Sequence, residues 1–520
     1  MNRHCSFAIP LVVLVVLSLL ANAVETPAAE PKRGGVITLG ITRDISVMNP
    51  LVDTGSTQKR IRDLMFEPLL GIDLKGNLRP ALAEAWEVSK DGKLYTIRLR
   101  KGVKFHNGQE MTAEDAKFAI DYTLDKKNVA YGYSILQVVE GVEAPDKYTL
   151  RVHLKEPSPG FFYAVSNIRA FSVIPKGSVE PKNLKPTVYP PGTGPFRFAD
   201  WKPKQRLTLE RYDDYWGNKV YVDRVVFKPI SNATVRMTAL RAGDVDLIEA
   251  APWEWVTQIK GGKLKGINYS AGTDAGFRVI KFNAGNPPFN NKKLRQAVAY
   301  ALNKKEILNA AYFGFGEPTD QRYPKGHEWY VDEAKFPARD TERAKALLKE
   351  AGYNGETIEF SVRQGEGETE ASTIQAQLKR IGVTVKQNLM EYGHYRSIRR
   401  TGEFQMVPSG GDYEPDPIAT YGDQFRCPAD LKKRTANDTG YCDKEMDALI
   451  EAAETEVDEA KRRELVQRIV KKLAEDVPEI PVGFVPRFFA FRDNVKGFQT
   501  DRQGSFQWLG GGLSHAWLDR

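Results

Sequence analysis

The sequence predicts a multi-domain protein of the mixed α/β class. Three observations carry that expectation. The chain has 520 residues, more than a single hydrophobic core usually organises. It is 41% hydrophobic and 27% charged, ordinary globular values that exclude a disordered or fibrous chain. Strand-like and helix-like segments alternate along it without a repeat at fixed period, the pattern of interleaved strands and helices.

After a Pro- and Glu-bearing linker from Glu25 to Arg33, Gly34-Gly35 opens a strand-like run, residues 36–40. Residues 94–99 have strand character, and 102–105 are expected to continue after a turn. Thr112-Ala-Glu-Asp115 resembles a capping box, which satisfies free amides at a helix start, so a helix is expected through Leu124. Residues 148–154 alternate as a strand, and Pro and Gly punctuate 175–195 as a boundary or long connection. Strands are then expected at 206–211 and 224–230, and a helix at 233–242. In the second half, 277–282 reads as a strand. The helix expected at 292–302 places Leu294, Val298 and Ala301 near one face. Helices follow at 341–351, 373–381, 444–456 and 460–475, the last strongly amphipathic, and 480–490 returns to strand.

Arg3 and His4 precede an apolar stretch from Phe7 to Leu20, followed by Ala21-Asn22-Ala23. A positive start, a short apolar core and an A-x-A site make a secretory signal peptide over 1–23, with Ala29 as the second candidate cleavage point. A retained anchor is the alternative, but the run contains Pro10 and is shorter than the roughly 20 residues a spanning helix needs. Cys5 precedes the apolar core, where a lipoprotein cysteine does not lie. A periplasmic location follows as the expectation. Lys+Arg 75 against Asp+Glu 67 leaves a net charge of +8, with a pI near 9.0 and a mean hydropathy of −0.44. No basic block stands out, so charge does not point to nucleic acid.

Removal of the signal leaves Cys427 and Cys442. An even pair in an exported protein is expected to form a disulfide worth roughly 3 kcal/mol, against the alternative of two unpaired thiols. The Lys-, Asn-, Asp- and Thr-rich segment between them reads as a surface loop, and a Cys-based metal site would need more ligands nearby.

Catalytic signatures are missing: no G-x-S-x-G elbow, H-E-x-x-H, phosphate-binding P-loop or complete G-x-G-x-x-G occurs. His327-Glu328 lacks a second His four residues on, and the five mature histidines (106, 153, 327, 394 and 515) are far apart in sequence. No catalytic residue, metal ligand or cofactor is therefore assigned. The acidic run Glu366-Gly-Glu368-Thr-Glu370 reads as a solvated loop, with cation attraction as the alternative. Tyr413 and the eight tryptophans are candidates for stacking on a ligand, although most large aromatics belong to cores.

Several separated blocks resemble the peptide/opine/nickel class of bacterial solute-binding proteins, the receptors of ABC importers. In the first half these are Glu67-Pro-Leu-Leu70, Leu78-Arg-Pro-Ala-Leu-Ala-Glu-Ala-Trp86, Ser89-Lys-Asp-Gly-Lys-Leu-Tyr95, Ile97-Arg-Leu-Arg100, Val103-Lys-Phe-His-Asn-Gly108 and Thr112-Ala-Glu-Asp115. Gly192-Thr-Gly-Pro-Phe196, Tyr215-Trp216 and Ala242-Gly-Asp-Val-Asp246 follow. Phe282-Asn283, Pro287-Pro-Phe289, Leu294-Arg-Gln-Ala-Val298, Gly440-Tyr-Cys442 and Asp447-Ala-Leu-Ile450 complete the set.

The resemblance implies a two-lobe periplasmic-binding-protein fold with two hinge strands and a subdomain inserted in lobe I. By analogy, lobe I is 30–270 plus 485–520, the insertion about 72–185, and lobe II 271–484. In peptide-binding members a lobe II aspartate pairs with the ligand's ammonium. The matching stretch here is Gly410-Gly-Asp-Tyr-Glu-Pro-Asp-Pro417, with Asp412 as first candidate, Asp416 as the alternative and Tyr413 beside them. Arg363 stands in the region where a carboxylate-binding arginine is expected, and Arg grips a carboxylate bidentately. From lobe I, Thr54, Gly55 and Ser56 fall where the family lines its cleft, with a surface turn as the competing reading. The implied protein is a monomeric receptor that passes a peptide or similar polar solute to permease subunits, with the ATPase on a separate chain. An opine, an oligosaccharide or a chelated metal is the alternative ligand. A secreted hydrolase and a chaperone-like or sensory protein are the rivals of another class.

Overall fold

The computed structural model describes residues 30–45, 49–52, 56–73, 76–168, 171–179, 189–365, 367–411, 414–432, 434, 436–502, 504–508 and 511–519. The expected signal peptide, Thr54, Gly55, Asp412 and Tyr413 lie outside these residues.

Two long antiparallel strands, Ile267–Phe282 and Glu479–Arg492, organise the molecule. They sit side by side at the centre of an eleven-stranded sheet, whose short strand Glu317–Pro318 pairs with the second of them off the main order. On one side lie Leu247–Ile248, Val36–Ile41, Arg224–Pro229, Arg206–Arg211 and Phe196–Lys202. On the other lie Met406–Gly411, Ile358–Arg363 and Val385–Met390. The chain is therefore a two-lobe α/β fold, each lobe built on one half of the sheet. The pairing between the long strands shifts register between Gly272 and Gly276. A side chain at 276 would bring its Cβ to 2.9 Å from the Val485 carbonyl oxygen, so only glycine allows the strands to approach this closely there.

Each part has its own core. Lobe I buries Ile37, Leu39, Phe196, Val225 and Phe227. Lobe II buries clusters around Ile280, Phe360 and Val482, around Tyr323, Tyr421 and Ile450, and a smaller one of Tyr395, Ile398, Phe404 and Val407. A separate four-stranded antiparallel sheet, Ala83–Val88, Leu94–Leu99, Thr149–Leu154 and Val139–Asp146, carries the core of the inserted subdomain. Its helix Ala113–Leu124 starts with the expected capping box, where both the amide and the hydroxyl of Thr112 donate to Asp115 Oδ2 at 2.8 Å.

Three expectations need correction. Residues 102–105 do not continue a strand; they turn and make only an isolated bridge from Lys104 to Glu110. The acidic run beyond Glu366 is no solvated loop. A helix starts at Glu368, not at Thr373, and Glu370 is fully buried, accepting from Tyr312 Oη at 2.7 Å and pairing with Arg278 at 3.3 Å. The third concerns the disulfide, which does join Cys427 and Cys442. The second half of its loop is buried because its charges have partners there. Asp438 pairs with Lys281 at 2.8 Å and with Arg399, while Arg434 donates to Asn283 Oδ1 at 2.9 Å. Opening this loop, whose ends are 15 residues apart, is expected to lower the unfolding free energy by about 3 kcal/mol. Denaturant titration of the wild type and a Cys427→Ser/Cys442→Ser variant measures it.

Candidate functional site

A cavity of about 480 Å³ lies between the lobes. Lobe I lines it at Lys59, Arg60, Asp63, 66–68 and 71–73, at 215–218 and at Asp501, Arg502, Gly504, Ser505 and Ser514. The insertion adds Gly76, Pro80, Ala81, Arg100 and 166–168, lobe II adds His327, Glu414 and Pro415, and the second long strand adds Arg487.

The lobe I wall is built on the helix Ser56–Arg62. Arg60 ties this helix to the sheet: its Nη1 pairs with Glu249 Oε2 at 3.1 Å and its Nε donates to the Gly504 carbonyl at 3.0 Å. Burial pushes the Glu249 carboxyl up, but Arg60 and the donors from Thr42 and Thr57 outweigh it, so Glu249 is held below its ordinary range. Beside them, burial raises Asp63 despite Lys59 at 3.3 Å.

Where lobe I meets the insertion, Glu67 accepts from Tyr215 Oη at 2.9 Å and from Trp216 Nε1 at 2.7 Å. The Arg100 guanidinium stacks 4.6 Å above the Trp216 ring. Desolvation outweighs these donors and pushes the Glu67 carboxyl up to about 7. The folded state then keeps a proton that the unfolded chain has released between pH 4.5 and about 7. Glu67 therefore costs stability as pH rises through that window, by on the order of 3 kcal/mol when complete. Glu67→Gln should be more stable than the wild type above pH 7, with the difference vanishing below pH 4.5, as read by denaturant titration across pH.

On the lobe II side, the His327 ring stacks on Tyr323 at 4.6 Å. Burial, reinforced by Arg502, lowers it to about 4, so the ring is neutral at ordinary pH. The Glu414 carboxylate accepts from Asn167 Nδ2 of the insertion at 2.8 Å. Its carbonyl accepts from Tyr323 Oη at 2.7 Å, and its amide donates to Thr420 Oγ1 at 3.0 Å.

The cavity thus carries charges of both signs, with Arg100, Arg487 and Arg502 among the cations and Asp73, Glu414 and Asp501 among the acids. That arrangement suits a solute with an ammonium at one point and a carboxylate at another, held between walls that exclude water. Ser514 Oγ lies 3.1 Å from His515 Nδ1, and Ser514 is 1% exposed.

Of the residues singled out from sequence, Ser56 opens the helix that carries Lys59 and Arg60. Glu414 and Pro415, the residues that follow Asp412 and Tyr413, line the cavity. Asp416 has other employment. It caps the helix Pro417–Phe425 by accepting from Ile418 N at 2.8 Å and Ala419 N at 3.1 Å, and it forms a buried ion pair with Arg462 at 2.7 Å. The Arg363 guanidinium lies 4.7 Å from the centre of the Tyr392 ring, at the end of its strand. Sequence reasoning did not single out Glu67, Arg100, Asn167, Glu414 or Arg487. Glu67, Arg100 and Trp216 do fall inside blocks that carried the family resemblance; that these blocks converge on one cavity is visible only in the fold.

Comparison with known proteins agrees with this architecture. The family described as bacterial extracellular solute-binding proteins, family 5 (middle), matches residues 77–431. The chain is 27% identical over 543 residues to the oligopeptide-binding protein AppA of Bacillus subtilis, covering 96% of this chain and 97% of that protein. It is 30% identical over 464 residues to heme-binding protein A of Haemophilus influenzae, covering 81% and 82%. The solved structure of the periplasmic binding protein DppA from Helicobacter pylori, in complex with the peptide STSA, superposes with a TM-score of 0.78 at 27% identity, covering 94% of this chain and 99% of that one. With a crossing pair of strands, a cavity between two lobes and a family match over most of its length, the chain belongs to the bacterial extracellular solute-binding proteins of family 5.

Proposed function

We propose that this solute-binding receptor is exported to the periplasm, captures a short peptide or similar zwitterionic solute between its lobes, and delivers it as a monomer to the permease of an ABC importer. The observation that carries the reading is the cavity lined from both lobes, the insertion and one long strand, with charges of both signs. Lobe boundaries at 270/271 and 484/485 put the changeover inside the two long strands, which then act as the hinge. Asp412 is the residue proposed to receive the ligand's ammonium, since Asp416 is committed to Arg462 and to its helix. Arg363 is retained as the proposed carboxylate partner, with Tyr413, Thr54, Gly55 and Ser56 completing the contacts. The 30% identity to a heme-binding protein supports a second reading, the same receptor with a non-peptide ligand. A thermal-shift screen of di- to tetrapeptides, opines, sugars, metal chelates and heme separates the two. Peptides are expected to raise Tm; a rise only with one of the other classes replaces the substrate.

A further inference from the structure

The inserted subdomain touches lobe II directly, through contacts that the two long strands do not supply. Tyr163 Oη donates to Glu328 Oε1 at 3.1 Å, and Asn167 Nδ2 donates to Glu414 Oε2 at 2.8 Å. Between them, Gly160 lies so close that a Cβ there would stand 3.3 Å from Asp416 Cγ. Further along, a Cβ on Gly92 would come within 2.6 Å of Val457 Cγ1. In every one of these pairs the first residue belongs to the insertion and the second to lobe II.

The lobe II acceptors also have partners within their own lobe. Arg463 donates to the Glu328 carbonyl and reaches its carboxylate at 4.0 Å. Tyr323 and Thr420 hold the Glu414 backbone, and Arg462 holds Asp416. Fixed acceptors lose little entropy when a donor arrives. Tyr163 and Glu328 stand outside the cavity wall, so their bond acts on the lobes and not on the solute.

Resting on the receptor reading above, we infer that the inserted subdomain is the closing jaw, and that Tyr163–Glu328 together with Asn167–Glu414 form a clasp that positions the lobes for ligand retention. Bonds that exist only in the closed state raise its population with or without ligand. Apparent affinity scales with that population.

The test uses ligand-stripped full-length mature protein and trialanine as the probe. Tyr163→Phe removes one hydroxyl and alters no cavity residue; Gly160→Val drives a side chain against Asp416 as an independent way to part the clasp. Both variants are expected to show a larger radius of gyration than the wild type by small-angle scattering without ligand. Both should also release trialanine about tenfold faster in stopped-flow, the loss expected for one hydrogen bond to a charged group. An unchanged radius of gyration and an unchanged release rate in both variants overturn the clasp. A wild type that binds no peptide counts against the receptor reading instead, and the ligand-free scattering comparison still decides the clasp.

Discussion

Asp412→Ala is expected to weaken binding of an amine-bearing peptide by about 2–5 kcal/mol, the usual cost of truncating one partner of a desolvated charge pair. An ammonium enclosed between two lobes loses its water, and without a carboxylate opposite it the closed state holds an uncompensated charge. Release should accelerate more than capture slows, because encounter depends on the open cleft and retention on the closed one. Calorimetry with trialanine on wild type and variant reads the difference. Unchanged affinity removes Asp412 from the site.

The second large effect concerns folding. Lys281, on the first long strand, is buried against Asp438, which also receives Arg399. Asp438→Ala leaves a buried lysine facing an arginine without its counter-charge, and should lower the unfolding free energy by about 3–5 kcal/mol. Burial alone would raise the Asp438 carboxyl, but Lys281 and Arg399 outweigh it and bring it down to about 2. A depressed folded-state pKa gives a contribution that is complete above the ordinary value of 3.8 and is lost as pH falls from there through about 2. Wild type and variant should therefore converge in stability at acid pH. Urea titrations at pH 7 and pH 3 check both the size and the sign.

This cluster also shows where sequence reading fails. A stretch rich in Lys, Asn, Asp and Thr reads as surface because lone charges are rarely buried. Asp438 and Arg434 are buried because their partners, Lys281 and Asn283, come from about 150 residues earlier. The same holds for Glu370, whose acidic neighbours hid the apolar stripe of Ala371, Ile374 and Leu378 on its helix. Elements with local signals were legible. The helix Ala233–Ala242 is bracketed by Asn232, which accepts from Val235 N at 3.0 Å, and by Gly243 in the left-handed region at φ 88. The two long strands were seen only in part, since the half of the first one at 267–276 has Tyr, Ser, Gly and Asp where an apolar run would announce a strand. The family resemblance supplied the two-lobe fold, which local patterns did not. The cavity was the least legible feature. Glu67, Arg100, Trp216, Glu414 and Arg487 meet only after the lobes, the insertion and the long strands have assembled.

Capture of a peptide between the lobes is read out by native mass spectrometry. Ligand-stripped protein would be incubated with an equimolar mixture of di- to tetrapeptides, an opine and heme, then sprayed under non-denaturing conditions. One-to-one adducts at peptide masses are expected, reduced by Asp412→Ala. Adducts of heme or the opine alone, or no adduct at all, would contradict peptide capture.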